Sequence, residues 1–93
     1  MAEPESDTIR LSVPADADMR PVVEVAIGVL ARRWGLSDDE ITAVRAATGD
    51  TLTDLAREGG TEPVQVSVDA TPHHLEVRIT QAATERIIQA PPP

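Results

Sequence analysis

The sequence predicts an α+β fold, a two-layer α/β sandwich with elements in the order β-α-α-β-β. Three observations predict it. Residues 9–13, 64–69 and 75–80 alternate apolar and polar side chains, the period of two of a half-buried strand. Between the first and second of these lie two longer stretches whose apolar residues recur every three or four positions, the spacing of a helix face. A chain of 93 residues is one domain with one modest core.

Each element has its own justification. Residues 1–8 are polar, carry Pro4 and several acids, and are expected to form a flexible N-terminal arm. Ile9, Leu11 and Val13 then alternate with Arg10 and Ser12 as a strand, which Pro14 ends. The first helix follows, with Asp16 or Asp18 as N-cap and Pro21 in its first turn, where a missing N–H is tolerated. It runs to about Trp34, with Val23, Ile27, Leu30 and Trp34 as its buried stripe and Val22, Ala26 and Val29 widening it. Gly28 costs this helix about 1 kcal/mol relative to Ala, and Gly35 suits a left-handed stop.

The second helix has the clearest local signal. Ser37 followed by Glu40 is a capping box, and Leu36 with Ile41 can form the accompanying hydrophobic staple. Asp38 and Asp39 place negative charge at the positive end of the helix dipole. The spacing predicts a helix from Asp38 to about Arg57, with Ile41, Val44, Thr48, Leu52 and Leu55 as core stripe and Gly59-Gly60 as stop. The strands at 64–69 and 75–80, joined by a short turn at 70–73, form an antiparallel hairpin with one buried and one wet face. The domain is thus expected over 9–81. Residues 82–93 are expected to form a short helix over 82–89, carrying Ile87 and Ile88, and then a proline tail.

Composition narrows the function classes. There is no Cys, so disulfides, thiolate chemistry and cysteine zinc sites are excluded. With no Phe or Tyr and a single Trp, the chain lacks the aromatic platform on which single-stranded nucleic acid stacks. The net charge of −8 repels a phosphate backbone, and an acidic chain more naturally meets a basic partner surface. No apolar stretch has the length of a membrane span and no signal peptide is visible, so the expected location is cytoplasmic.

The run from Ile9 to Gly59, with its Gly35-Leu36-Ser37 between two helices, and then the hairpin through Ile79, resembles the anti-sigma regulatory factor family. Its members are small serine protein kinases built on the histidine-kinase-like ATPase fold, and the resemblance implies the first half of that fold. In the family the second helix carries an acid that acts as general base and, four residues later, an Asn that helps hold the magnesium of Mg-ATP. These positions fall on Asp50 and Asp54. After the hairpin the family has an Asp that reads adenine and then a Gly. Those positions fall on Gln81 and Ala83, and neither matches. The family's mobile phosphate lid and second glycine-rich stretch have no counterpart here, and the chain contains no Asn. The resemblance therefore implies the scaffold without a working nucleotide site.

Each candidate has a plainer reading beside it. Asp50 and Asp54 share one helix face, next to Ala43 and Ala47. There they could hold Mg²⁺, or they form a solvated face with Arg57 partly neutralising Asp54, which the sequence favours. His73 and His74 sit in the hairpin turn without the ligands that would complete a metal site, although His74, Glu76 and Arg78 share one strand face. Gly59-Gly60 follows a helix instead of opening one, so it presents no phosphate loop. Trp34 either anchors a partner or packs under its helix end, and its phase favours packing. Arg10, Arg20, Arg32, Arg33 and Arg45 lie among many acids as a mixed solvated surface with no basic patch.

Three functions follow as expectations. The first is a non-catalytic, pseudo-kinase regulatory module that binds a sigma factor or an anti-anti-sigma-type protein, with a homodimer as its assembly. The second is a diverged ATP-dependent serine kinase with Asp50 as base, Asp54 as magnesium ligand and Gln81 reading adenine. The third is a small interaction subunit unrelated to sigma-factor control that completes its sheet with a partner.

Overall fold

A computed structural model describes residues 6–15 and 17–91. Its element order is β1 (Asp7–Val13), a 3-10 turn (Ala17–Met19), α1 (Arg20–Arg33), α2 (Asp38–Arg57), β2 (Val64–Thr71), β3 (His74–Gln81) and β4 (Thr84–Ala90). The four strands form one antiparallel sheet in the order β1-β2-β3-β4. The two helices are antiparallel neighbours and cover one face of this sheet, which is the two-layer α+β sandwich of the sequence reading with one more strand.

Local chemistry explains where the helices stop and start. Gly35, at φ +86°, ends α1: its N–H donates to the Arg32 carbonyl and the Leu36 N–H to the Ala31 carbonyl, the paired bonds of a Schellman motif. Two residues later the capping box forms in full. Glu40 N–H donates to Ser37 Oγ at 3.2 Å, and Ser37 N–H donates to Glu40 Oε1 at 2.8 Å. Leu36 and Ile41, the staple pair, are both buried. Gly59, at φ +79°, closes α2. The start of α1 differs from expectation: Met19 is the N-cap and makes no side-chain capping bond, while Asp18 lies in the preceding 3-10 turn. Asp16 lies outside the described residues, as do residues 1–5 and 92–93 of the expected arm and tail.

The core sits between the layers. Val64, Val66, Val68 and Ala70 of β2 and Leu75, Val77 and Ile79 of β3 point to the helices, against Val23, Ile27, Leu30 and Ala31 of α1 and Ile41, Val44 and Leu55 of α2. Ile27, Leu55, Leu75 and Ile79 are the largest fully buried side chains. Each contributes about 1.5–3 kcal/mol by leaving water.

Three expectations are corrected. Strand β1 begins at Asp7, inside the expected arm. Residues 84–90 form an edge strand, not a short helix. Ala82 and Ala83 make a tight turn, so that Gln81 pairs with Thr84 and Val77 with Ile88. Ile87 and Ile88 therefore point to opposite faces, and Ile88 and Ala90 face α2. Finally, Val22 and Val29 do not widen the buried stripe of α1. They are 51% and 65% exposed, with Val25 between them at 57%.

Candidate functional site

The residues that the resemblance assigns to a nucleotide do not converge. Asp50 and Asp54 are exposed on α2, and neither carboxylate has a partner among the described residues. In particular no ion pair joins Asp54 to Arg57. Gln81 is only 6% exposed at the end of β3, where its Nε2 donates to the Glu62 carbonyl at 2.9 Å. Its carboxamide also covers Gly60, where a Cβ would lie 2.6 Å from Oε1. Gln81 thus fastens the loop between α2 and β2 to the end of the sheet. Ala83 is exposed in the β3–β4 turn. The side of α2 that carries Ala43 and Ala47 meets β4: Ala43, Val44, Ala47, Ile88 and Ala90 line a cleft of about 320 Å³ there. This donor set does not fit Mg-ATP, because the expected adenine reader is buried with its carboxamide against Gly60, while the two acids lie exposed on α2.

The histidines separate. His73, at φ +60°, follows Pro72 in the β2–β3 turn, the pattern of a type II turn. Its N–H donates to the Trp34 carbonyl at 2.9 Å, and its Nδ1 lies 3.1 Å from the Gly35 carbonyl, so the hairpin tip clasps the end of α1. His74 sits on the open sheet face with Glu76 and Arg78, which are themselves 3.6 Å apart. Among the described residues no three His, Cys, Asp or Glu side chains are placed to hold a metal ion. Trp34 packs against the core, and its Nε1 donates to Asp7 Oδ2 at 2.8 Å.

The capping box sets the clearest electrostatic feature. The Ser37 backbone N–H, then the Ser37 hydroxyl, hold the Glu40 carboxyl below its ordinary value, and the charge of nearby His73 adds to this.

The sequence reading missed the feature that stands out most on the surface. Val25 and Val29, with Gly28 and the edge of Ile41, floor an open groove of about 480 Å³ between α1 and α2. Arg32, Arg33 and Arg45 rim it. Three arginines thus meet at one groove, two from α1 and the third from α2; Arg32 and Arg33 are paired with Asp38 and Asp7, in keeping with the expected mixed surface. The signal for the groove is the pair Val25 and Val29, four apart on one side of α1; the sequence reading assigns Val29 to the core face and does not single out Val25. Gly28 keeps the groove open, since a Cβ there would meet Arg45 Cδ at 3.3 Å.

No family model matches the chain, and no curated protein matches it significantly. Among the described residues no helix is long and apolar enough to cross a membrane.

Proposed function

We propose that this chain is a non-catalytic protein-binding module, similar in pattern to anti-sigma factors, which acts by binding a sigma factor or an anti-anti-sigma-type protein. The observation that carries the non-catalytic part is Gln81, buried and bonded to the Glu62 carbonyl while Asp50 and Asp54 stand apart in solvent. The exposed valines of α1 support the binding part, because clustered exposed apolar side chains mark contact surfaces. A homodimer that pairs the free edges β1 and β4 is the assembly that accompanies this reading.

The test is a Mg-ATP titration of the whole chain followed residue by residue by NMR. No saturable shift at Asp50, Asp54 or Gln81 is expected at several millimolar ATP. Sub-millimolar saturation at these residues would instead point to an ATP-dependent serine kinase, with Asp50 as base. The partner is checked by mixing the chain with each sigma factor and anti-anti-sigma-type protein of its source genome. Binding to none of them, with binding to a protein outside transcription, would favour the unrelated interaction subunit. Sedimentation over a range of concentrations checks the dimer, and a constant monomer mass removes it.

A further inference from the structure

We infer that the groove between α1 and α2 is the docking site for an acidic amphipathic helix of a protein partner. The inference rests on the protein-binding reading and adds to it the surface and the chemistry of what binds.

Shape is the first argument. The groove is open and shallow and runs along two antiparallel helices, on the side of α1 turned away from its buried stripe. Its α1 side is lined from Val25 to Arg33, with Val25 and Val29 as the exposed apolar side chains, and covers about 12 Å of helix. That length matches two turns of a third helix, whose side-chain ridge can settle between α1 and α2. An enclosed pocket would suit a small molecule better.

Charge is the second argument. The chain has eight arginines and a net charge of −8, yet three arginines ring this one apolar floor. Arg45 has no acidic partner among the described residues. Arg32 reaches Asp38 only at 3.8 Å, with both side chains largely in solvent, and Arg33 reaches Asp7 at 3.4 Å. Pairs this exposed hold their arginines weakly, so all three guanidinium groups can turn to carboxylates that flank an apolar stripe. A second copy of the chain is a poorer occupant, because a two-fold contact here would set Arg32, Arg33 and Arg45 against their own counterparts.

The experiment uses the full chain and two synthetic labelled peptides. Both carry leucines at i, i+3, i+4 and i+7; one has glutamates on its flanks and the other lysines. Fluorescence anisotropy is expected to show saturable binding of the glutamate peptide that weakens with added salt, and much weaker binding of the lysine peptide. Val29→Glu and Arg45→Glu change exposed side chains, so thermal melting should be almost unchanged. Each is expected to weaken the glutamate peptide about tenfold or more.

Gly28→Ala, which makes the floor shallower, is expected to weaken it while raising the melting temperature. No saturation at about 1 mM glutamate peptide overturns the inference, as does equal binding of the two peptides. Self-association that Val29→Glu abolishes also overturns it, in favour of a second copy. A sigma-type partner that binds Val29→Glu as well as wild type sinks the groove and leaves the protein-binding reading standing. Saturable ATP shifts at Asp50 and Gln81 would sink that reading itself.

Discussion

Gly28 in α1 and Gly49 in α2 both lie inside helices, and replacing each with Ala separates local propensity from packing. By propensity alone each substitution gains about 1 kcal/mol. The structure splits the pair. A Cβ at Gly28 would lie 3.3 Å from Cδ of Arg45, an exposed side chain free to move. Gly28→Ala therefore keeps most of its gain, and the melting temperature rises by about 3–6 °C. A Cβ at Gly49 would lie 2.6 Å from Nε, 2.7 Å from Nη2 and 2.9 Å from Cζ of Arg20, so that guanidinium has to leave.

Arg20 is not idle there: its Nη1 donates to Thr53 Oγ1 at 3.0 Å and its Nε to Glu24 Oε2 at 3.3 Å. The side chain is 38% exposed, so both contacts are partly screened. We assign about 1 kcal/mol to the hydrogen bond and about 0.3–0.5 kcal/mol to the i,i+4 pair. Their loss slightly exceeds the propensity gain, and Gly49→Ala is expected to be neutral or destabilising by about 0.5 kcal/mol. In an Arg20→Ala background the three atoms nearest the new methyl are gone, and Gly49→Ala is expected to stabilise by about 1 kcal/mol. Urea unfolding followed by the fluorescence of Trp34, the sole Trp, measures all four corners of this cycle. Equal effects of Gly49→Ala in the two backgrounds would refute the clasp of Arg20 over α2.

Three further substitutions probe single features. Glu40 has a folded pKa held below its ordinary value of 4.5, so its capping contribution is present above that value and is lost as pH falls through the depressed one. The stability difference between wild type and Glu40→Ala is therefore expected at neutral pH and should vanish in acid; a difference that grows in acid would reverse the assignment. Thr48 is fully buried and its hydroxyl finds no partner among the described residues, so Thr48→Val is expected to stabilise by about 1 kcal/mol, and a lower denaturation midpoint would mean that the hydroxyl is bonded. Ala82 sits at φ +52°, which a side chain disfavours by about 1–2 kcal/mol, so Ala82→Gly is expected to raise the melting temperature by a few degrees in calorimetry.

What was legible in the sequence was local. Ser37, Glu40 and Gly59 mark both ends of α2 by the hydrogen bonds they supply, and no tertiary contact is needed to read them. The β2–β3 hairpin was legible for a similar reason, since strict alternation meets a turn carrying Pro72. Strand β4 lacks both signals. Its turn is Ala82-Ala83, without the Gly or Asn that a left-handed residue favours, and adjacent Ile87 and Ile88 hide the alternation. Arg86 points to the helix layer and pairs with Glu58 at the end of α2, an inward charge tolerated because the strand is an edge. The groove was illegible for another reason. Whether Val22, Val25 and Val29 face core or solvent depends on where α2 packs, and its arginines meet only when the two helices lie side by side.

The same contacts weigh on the nucleotide question. The Gln81 Oε1 that would accept from an adenine amino group lies against Gly60, and the residue is only 6% exposed, so to meet a base the side chain has to swing out from beside the loop and lose its Nε2 bond to the Glu62 carbonyl, at a cost of about 1 kcal/mol or more. The loop through Gly60 and Glu62 would lose its anchor in the same step. Phosphates brought to Asp50 and Asp54 would meet two unpaired carboxylates, which repel them unless a cation bridges the two. The amide with which the family's Asn holds that cation is absent from the chain. A surface groove asks for none of these rearrangements: its apolar floor is already exposed, and its arginines give up only weak, solvated pairs when a partner arrives. On the proposed reading, binding at α1 avoids the bonds that nucleotide binding would first have to break.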